Sequence, residues 1–124
     1  MIFLDTHVIV WLYAGELKKI SGAVVEQIEN NDLCISQVVR LELQYLFEIG
    51  RITETPKNII NSLNVSIGLN ESAMKAAQVF DQAIEYSWTR DVFDRLITAE
   101  AESFEAVLIT KDRKILANYK NALW

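Results

Sequence analysis

The run Ile2-Phe3-Leu4-Asp5-Thr6-His7-Val8-Ile9-Val10-Trp11 joins a short apolar segment, an acid and the start of a helical pattern. Ile2-Phe3-Leu4 reads as a first strand, and the helix after it is expected over residues 6–14. The same alternation continues along the chain. Leu33-Cys34-Ile35 and Val65-Ser66-Ile67 read as the second and third strands, Ala106-Val107-Leu108-Ile109 as the clearest one, and Ala122-Leu123-Trp124 as a terminal one. Further helices are expected near residues 21–30, 37–49, 57–63, 71–86, 92–103 and 113–118. Gly50 stands where a C-cap belongs, and Pro56 opens the helix that follows a loop. Short strands alternating with helices point to an α/β architecture with a mainly parallel sheet. No repeat, low-complexity tract or Ser/Gly linker divides the chain, so residues 1–124 are expected to form a single domain.

The composition agrees with that picture. An apolar fraction of 51% and a charged fraction of 23% describe a globular chain. Its 124 residues suffice to bury a core without disulfides or structural metal. No apolar run approaches the ~18–20 residues that span a bilayer, and no basic segment leads a long apolar one at the N-terminus. Neither membrane insertion nor secretion is expected. The one cysteine, Cys34, lies in an apolar run and reads as a buried free thiol in a reducing cytoplasm. The net charge of −5 weighs mildly against nucleic acid. Six of the twelve basic residues, however, fall at or after Arg90, close to two of the acids discussed next.

Asp5, Glu42, Asp94 and Asp112 each sit at or near the end of an apolar run. Glu42 is the sharpest case: on a helix its neighbours three and four residues away are Val38, Val39, Tyr45 and Leu46, and none can pair with it. A carboxylate in apolar surroundings is neutralised, paired or bound to a metal. Asp5 follows the first strand, Asp112 follows the 106–109 strand, and Glu42 rides on the helix after the second. Sites in open parallel sheets gather beyond the carboxyl ends of the strands, so these acids can converge there. Asp94 joins them if its helix starts at that edge. A divalent cation would account for all four. Taken singly, Asp5 and Asp112 can each cap the helix that follows, and Asp91 with Asp94 resembles a capping box. Glu42 has instead the alternative of a salt bridge to Arg95 or to Arg40 of another copy.

Zinc is a poor fit for a chain with one His and one Cys. His7 reads as a packing or orienting residue of the site loop. Thr6 and Thr110 flank the acids and can hydrogen-bond to their carboxylates. No Gly-rich phosphate loop exists, and no Ser-His-Asp arrangement is suggested. The aromatics on the outer helices exceed what a lone monomer needs, a sign of a protein partner or self-association.

With these residues laid out, the chain resembles the PIN-domain nucleases, and among them the VapC-type toxins of prokaryotic toxin–antitoxin modules. The resemblance rests on Ile2 through Trp11; on Ile35-Ser36 with Val38-Val39 and Leu41-Glu42-Leu43; on Arg90-Asp91-Val92-Phe93-Asp94-Arg95-Leu96-Ile97 with Ala99 and Ala101; and on Val107-Leu108-Ile109-Thr110-Lys111-Asp112. Val92 departs from it, since many relatives carry Pro there. The resemblance implies a three-layer α/β/α sandwich and a Mg²⁺- or Mn²⁺-dependent endoribonuclease using one or two ions. It makes Asp5, Glu42, Asp94 and Asp112 the catalytic, metal-binding quartet, with Asp91 assisting. It also implies a homodimer and a cognate antitoxin that blocks the site. Arg95, Lys111 and Arg113, beside the acids in sequence, become candidates to face the RNA phosphates, or else surface partners of Glu100 or Glu102. Two other expectations stand beside this one: an inactive PIN-like binding module whose acids only cap helices, and a metal-dependent nuclease acting on DNA or housekeeping RNA.

Overall fold

A computed structural model describes residues 1–124. Its centre is a five-stranded, wholly parallel sheet in the order β3-β2-β1-β4-β5. In chain order the elements are β1 (Ile2–Leu4), α1 (Thr6–Ala14), a short 3₁₀ turn (Leu17–Lys19), α2 (Gly22–Asn30), β2 (Leu33–Ile35), α3 (Gln37–Glu48), α4 (Pro56–Ile67), β3 (Asn70–Glu71), α5 (Ala76–Ile84), α6 (Val92–Ser103), β4 (Val107–Ile109), α7 (Arg113–Asn118) and β5 (Ala122–Leu123). The expected α/β fold with a parallel sheet is the one observed.

Parallel strands buried on both sides need apolar residues throughout, and β1 and β2 are buried at every position. Phe3, Leu4, Ile9, Ile35, Leu43, Ile59, Ile97, Leu108, Ile109 and Ile115 are among the large side chains most completely removed from water. Each such side chain contributes roughly 1.5–3 kcal/mol of burial. Right-handed crossovers send the β1–β2 and β2–β3 connections to one face of the sheet and the β3–β4 and β4–β5 connections to the other. The packing follows that rule: α1 rests on α3 and α4, and α5 on α6. Cys34 is buried, as expected.

Two expectations need correction. Val65-Ser66-Ile67 is not the third strand but the last turn of α4. The helix is defined at both ends: Thr55 Oγ1 accepts from the Asn58 N–H, Pro56 begins it, and Gly68 ends it at φ 70°, a conformation open to glycine at little cost. Ile59, Ile60 and Leu63 form its buried stripe, while Val65 is 87% exposed. The third strand is Asn70–Glu71, paired with Cys34 and Ile35. It lies at the sheet edge with both residues exposed, so it carries no apolar signature. For the same reason the helix expected over 71–86 is only the shorter α5. Elsewhere Gly50, at φ 77°, lies just past α3 as its sequence position suggested.

Candidate metal centre at the carboxyl edge of the sheet

Strand order reverses at β1: its connection leads to β2 on one side, while β4 lies on the other and leads outward to β5. Helices therefore leave β1 and β4 toward opposite faces, opening a crevice beyond their carboxyl ends. Asp5 and Asp112 stand at its two sides. The turns that carry them are tied together, since the Asp5 N–H donates to the Ile109 carbonyl at 3.0 Å. Thr110 Oγ1 donates to Asp5 Oδ2 at 2.6 Å. From the β2 side, Glu42 reaches in from α3 and accepts from Thr6 Oγ1 at 2.5 Å. Asp94 enters in the first turn of α6, and Tyr45 of α3 stacks on Phe93 beside it at 5.9 Å.

The capping reading holds for Asp5, Asp91 and Asp112. Asp5 accepts from the Thr6 N–H at 2.7 Å, Asp91 from the Asp94 N–H at 2.9 Å, and Asp112 from the Ile115 N–H at 2.9 Å. Each aspartate spends one oxygen on a helix N-terminus. Thr110 serves two masters at once, because its oxygen also accepts from the Asp112 N–H at 3.0 Å. Val92 occupies the first position of α6, where Pro is favoured, so its departure from the family pattern leaves the helix start in place.

Electrostatics show that the acids share one field. Burial raises the Asp94 pKa from 3.8 to about 8, and the nearby charges of Asp5, Asp91, Asp112 and Glu42 push in the same direction. Burial likewise raises Glu42 from 4.5 to about 7, against the Thr6 hydrogen bond and with Asp5 and Asp91 adding to the rise. Asp5 is displaced upward by burial, although the bonds from Thr110 and Thr6 oppose this. No basic side chain is paired with any of them. The two salt bridges of the protein, Lys19 with Glu16 and Arg40 with Glu71, lie elsewhere. Within the chain Glu42 has no salt bridge, and the one considered to Arg95 is not formed.

This donor set fits a hard divalent cation: it is all oxygen, it comes from four separate segments, and no salt bridge neutralises any of the four. No group of three or more His, Cys, Asp and Glu side chains is arranged as a ready cage. Mg²⁺ does not require one, since it is held through one or two carboxylates and keeps several waters.

The three basic candidates fare differently. Arg95 Nε donates to the Thr89 carbonyl at 2.8 Å, which ties the loop before α6 to that helix. Lys111 places its ammonium over the rings of Trp11 and Trp124. Arg113 is exposed and unpaired. Glu100 is no surface partner for any of them, because it is completely buried. Its carboxylate accepts from the Ser72 hydroxyl, and its Oε2 has no partner. The sequence signal existed: Glu100 lies three residues after Ile97 and next to Ala99 and Ala101, on the buried stripe of α6.

A family model described as "PIN domain" matches residues 2–121. Among solved structures, the chain is similar to one in the crystal structure of VapBC2 from Rickettsia felis bound to a DNA fragment from their promoter. The identity is 21% and the TM-score 0.69, over 99% of this chain and 96% of that one. It is also similar to a chain of a toxin–antitoxin complex from Klebsiella pneumoniae, at 16% identity and TM-score 0.70, over 100% and 97% of the two chains. Among curated proteins no sequence match is found.

Proposed function

The chain belongs to the PIN domain family, and from that premise we propose that it is a metal-dependent endoribonuclease, the toxin of a toxin–antitoxin pair. The observation that carries this reading is the meeting of Asp5, Glu42, Asp94 and Asp112 at the strand-order reversal, with Glu42 and Asp94 raised to about 7 and about 8. Helix capping accounts for Asp5, Asp91 and Asp112, but not for Glu42, which lies inside α3. An inactive module whose acids only cap helices leaves Glu42 unexplained.

In this reading the four acids hold Mg²⁺ or Mn²⁺, with Asp91 beside them. Bound there, the cation supplies Lewis-acid polarisation of the scissile phosphate and a lowered pKa for the attacking water. The chain's own residues prepare the place. Thr110 and Thr6 fix the carboxylates of Asp5 and Glu42 through their hydroxyls, as partners of metal ligands commonly do. The three helix caps hold one oxygen of each capping aspartate in place, which limits its rotation toward or away from the crevice. In the absence of a cation Asp94 is held largely protonated at neutral pH and Glu42 about half so, and a bound cation displaces those protons. In this reading Arg113, exposed beside Asp112, is the cation that would meet a substrate phosphate.

The antitoxin and a second copy of the chain are the expected partners, in a cytoplasmic setting. Of the two similar structures, one is a toxin–antitoxin complex and the other VapBC2 bound to a DNA fragment from their promoter. The outer faces of α3 (Leu41, Tyr45) and α5 (Phe80, Ile84) expose large apolar side chains that a partner would cover. No helix is long and apolar enough to cross a membrane. The test is cleavage of total RNA by purified protein in EDTA, Mg²⁺ and Mn²⁺, with Asp5→Asn prepared alongside. Metal-dependent cutting by the wild type alone supports the reading. Equal cutting by Asp5→Asn refutes the assignment, and cutting of matched DNA strands instead of RNA moves the substrate to DNA.

A further inference from the structure

Beside the carboxylates lies a strip of rings that the proposed chemistry does not use. His7, two residues after Asp5, is exposed in the first turn of α1. Its ring lies 6.2 Å from that of Trp11, one helical turn on, at 50°. Trp11 in turn meets Trp124 at 5.7 Å and 59°. The Lys111 ammonium sits 5.8 Å from the Trp11 centroid and 5.7 Å from that of Trp124. The strip begins at the site itself, because His7 follows Asp5 and Lys111 precedes Asp112, and the two turns are hydrogen-bonded to each other.

Core packing explains part of this. Trp11 and Trp124 are half-buried and rest on the central core. It does not explain His7, whose side chain faces water at the top of the strip. Nor does it explain a lysine held over two rings at the border of an acidic crevice. Aromatic faces combined with a cation, leading away from a phosphodiester site, are how proteins hold unpaired nucleobases without reading their edges. A duplex keeps its base faces stacked inside and has none to offer.

We propose that His7 and Trp11 form a stacking platform for an unpaired nucleobase next to the scissile phosphate, with Lys111 locked between Trp11 and Trp124 as its brace. This rests on the ribonuclease reading and assigns within it the residues that hold a base beside the cut. His7 and Trp11 are then positioning and specificity residues, with no part in the reaction at phosphorus.

The test uses the purified full chain with His7→Ala and His7→Phe, both at an exposed position where melting temperatures are expected to match the wild type. Two readouts are taken. One is binding of a fluorescent, mixed-sequence single-stranded RNA in EDTA. The other is KM and kcat in Mn²⁺ on an oligonucleotide spanning a cut site found in total RNA. The expected result is a roughly tenfold weaker Kd and higher KM for His7→Ala, the worth of about one base stack, with kcat nearly kept. His7→Phe restores both, because it keeps a ring and discards the imidazole's polar atoms. An abasic ribose beside the cut imitates His7→Ala on the wild type and adds little to the variant. If the wild type cuts RNA and His7→Ala matches it in KM and Kd, the platform is refuted and the ribonuclease reading stands. If His7→Phe is as poor as His7→Ala, stacking is refuted in favour of the imidazole's polar atoms. If the wild type binds single strands through His7 but cuts nothing, the nuclease reading falls and the platform remains. A wild type that neither binds nor cuts RNA removes both.

Discussion

Replacing Asp94 by Asn should make the metal-free protein more stable, because its carboxyl is half-buried among other acids. Burial, and after it the field of Asp5, Asp91, Asp112 and Glu42, raise Asp94 from 3.8 to about 8. Taken without screening, such a displacement is worth about 6 kcal/mol. Asp94 is only half-buried, and solvent around it reduces the figure to about 2 kcal/mol. For 124 residues the unfolding entropy makes 1 kcal/mol worth about 4 °C, so Asp94→Asn should melt about 8 °C higher in EDTA at pH 8. The sign follows from proton linkage. Below about pH 4 the carboxyl is protonated in both folded and unfolded chains, and the two proteins melt alike. As pH rises, the unfolded chain releases the proton freely while the folded one holds it, so the wild type loses ground until about pH 8. Saturating Mg²⁺ should reverse the order, because cation at a hundred times its Kd stabilises the wild type by about 2.7 kcal/mol and has lost a ligand in the variant. Thermal unfolding followed by circular dichroism from pH 4 to pH 8, with EDTA or Mg²⁺, measures all of this. An Asp94→Asn protein no more stable than the wild type at any pH in EDTA would mean that the Asp94 carboxyl is neither desolvated nor crowded by the other acids, and the single-site argument would fail.

Three further outcomes are expected. Thr6→Val removes the hydroxyl that Glu42 accepts and should weaken Mn²⁺ affinity about 10- to 100-fold in calorimetric titration with the fold intact; unchanged affinity would show that Glu42 is oriented by something else. Glu100 is buried with Oε2 unpartnered and its pKa raised by burial, so Glu100→Gln should stabilise the protein by about 1–3 kcal/mol at neutral pH. That gain should vanish as pH falls through the ordinary carboxyl range, and a gain independent of pH in denaturant titrations would contradict a charge-based cost. The buried Tyr119 hydroxyl donates to the Ala106 carbonyl at 2.6 Å, joining the end of α7 to the start of β4, so Tyr119→Phe should cost about 1–2 kcal/mol; a smaller loss in urea unfolding would mean water replaces the bond.

What was legible in the sequence was local. Three-residue apolar runs marked β1 and β2, since a strand buried on both faces must be apolar throughout. Asp5, Asp91 and Asp112 announced helix starts because a cap bonds to the backbone within three residues of itself. Glu42 stood out because every neighbour within helical reach was apolar or uncharged. The acids could even be assigned to one edge, because strand ends and the helices after them follow from the chain order of a parallel sheet.

The remainder depended on contacts between distant segments. β3 is a strand only because Asn70 and Glu71 lie beside Cys34 and Ile35; nothing in two polar residues demands it, whereas Val65 and Ile67 look like a strand and are held in a helix by Thr55, Pro56 and Gly68. Glu100 is charged by type and buried by position, and only the packing of α6 against the Ser72 segment determines which property prevails. Arg95 and Lys111 adjoin the acids in sequence, yet the Thr89 carbonyl holds one and two indole rings the other. Long cationic side chains have many rotamers of similar energy, so their partners are selected by whatever the fold brings within reach.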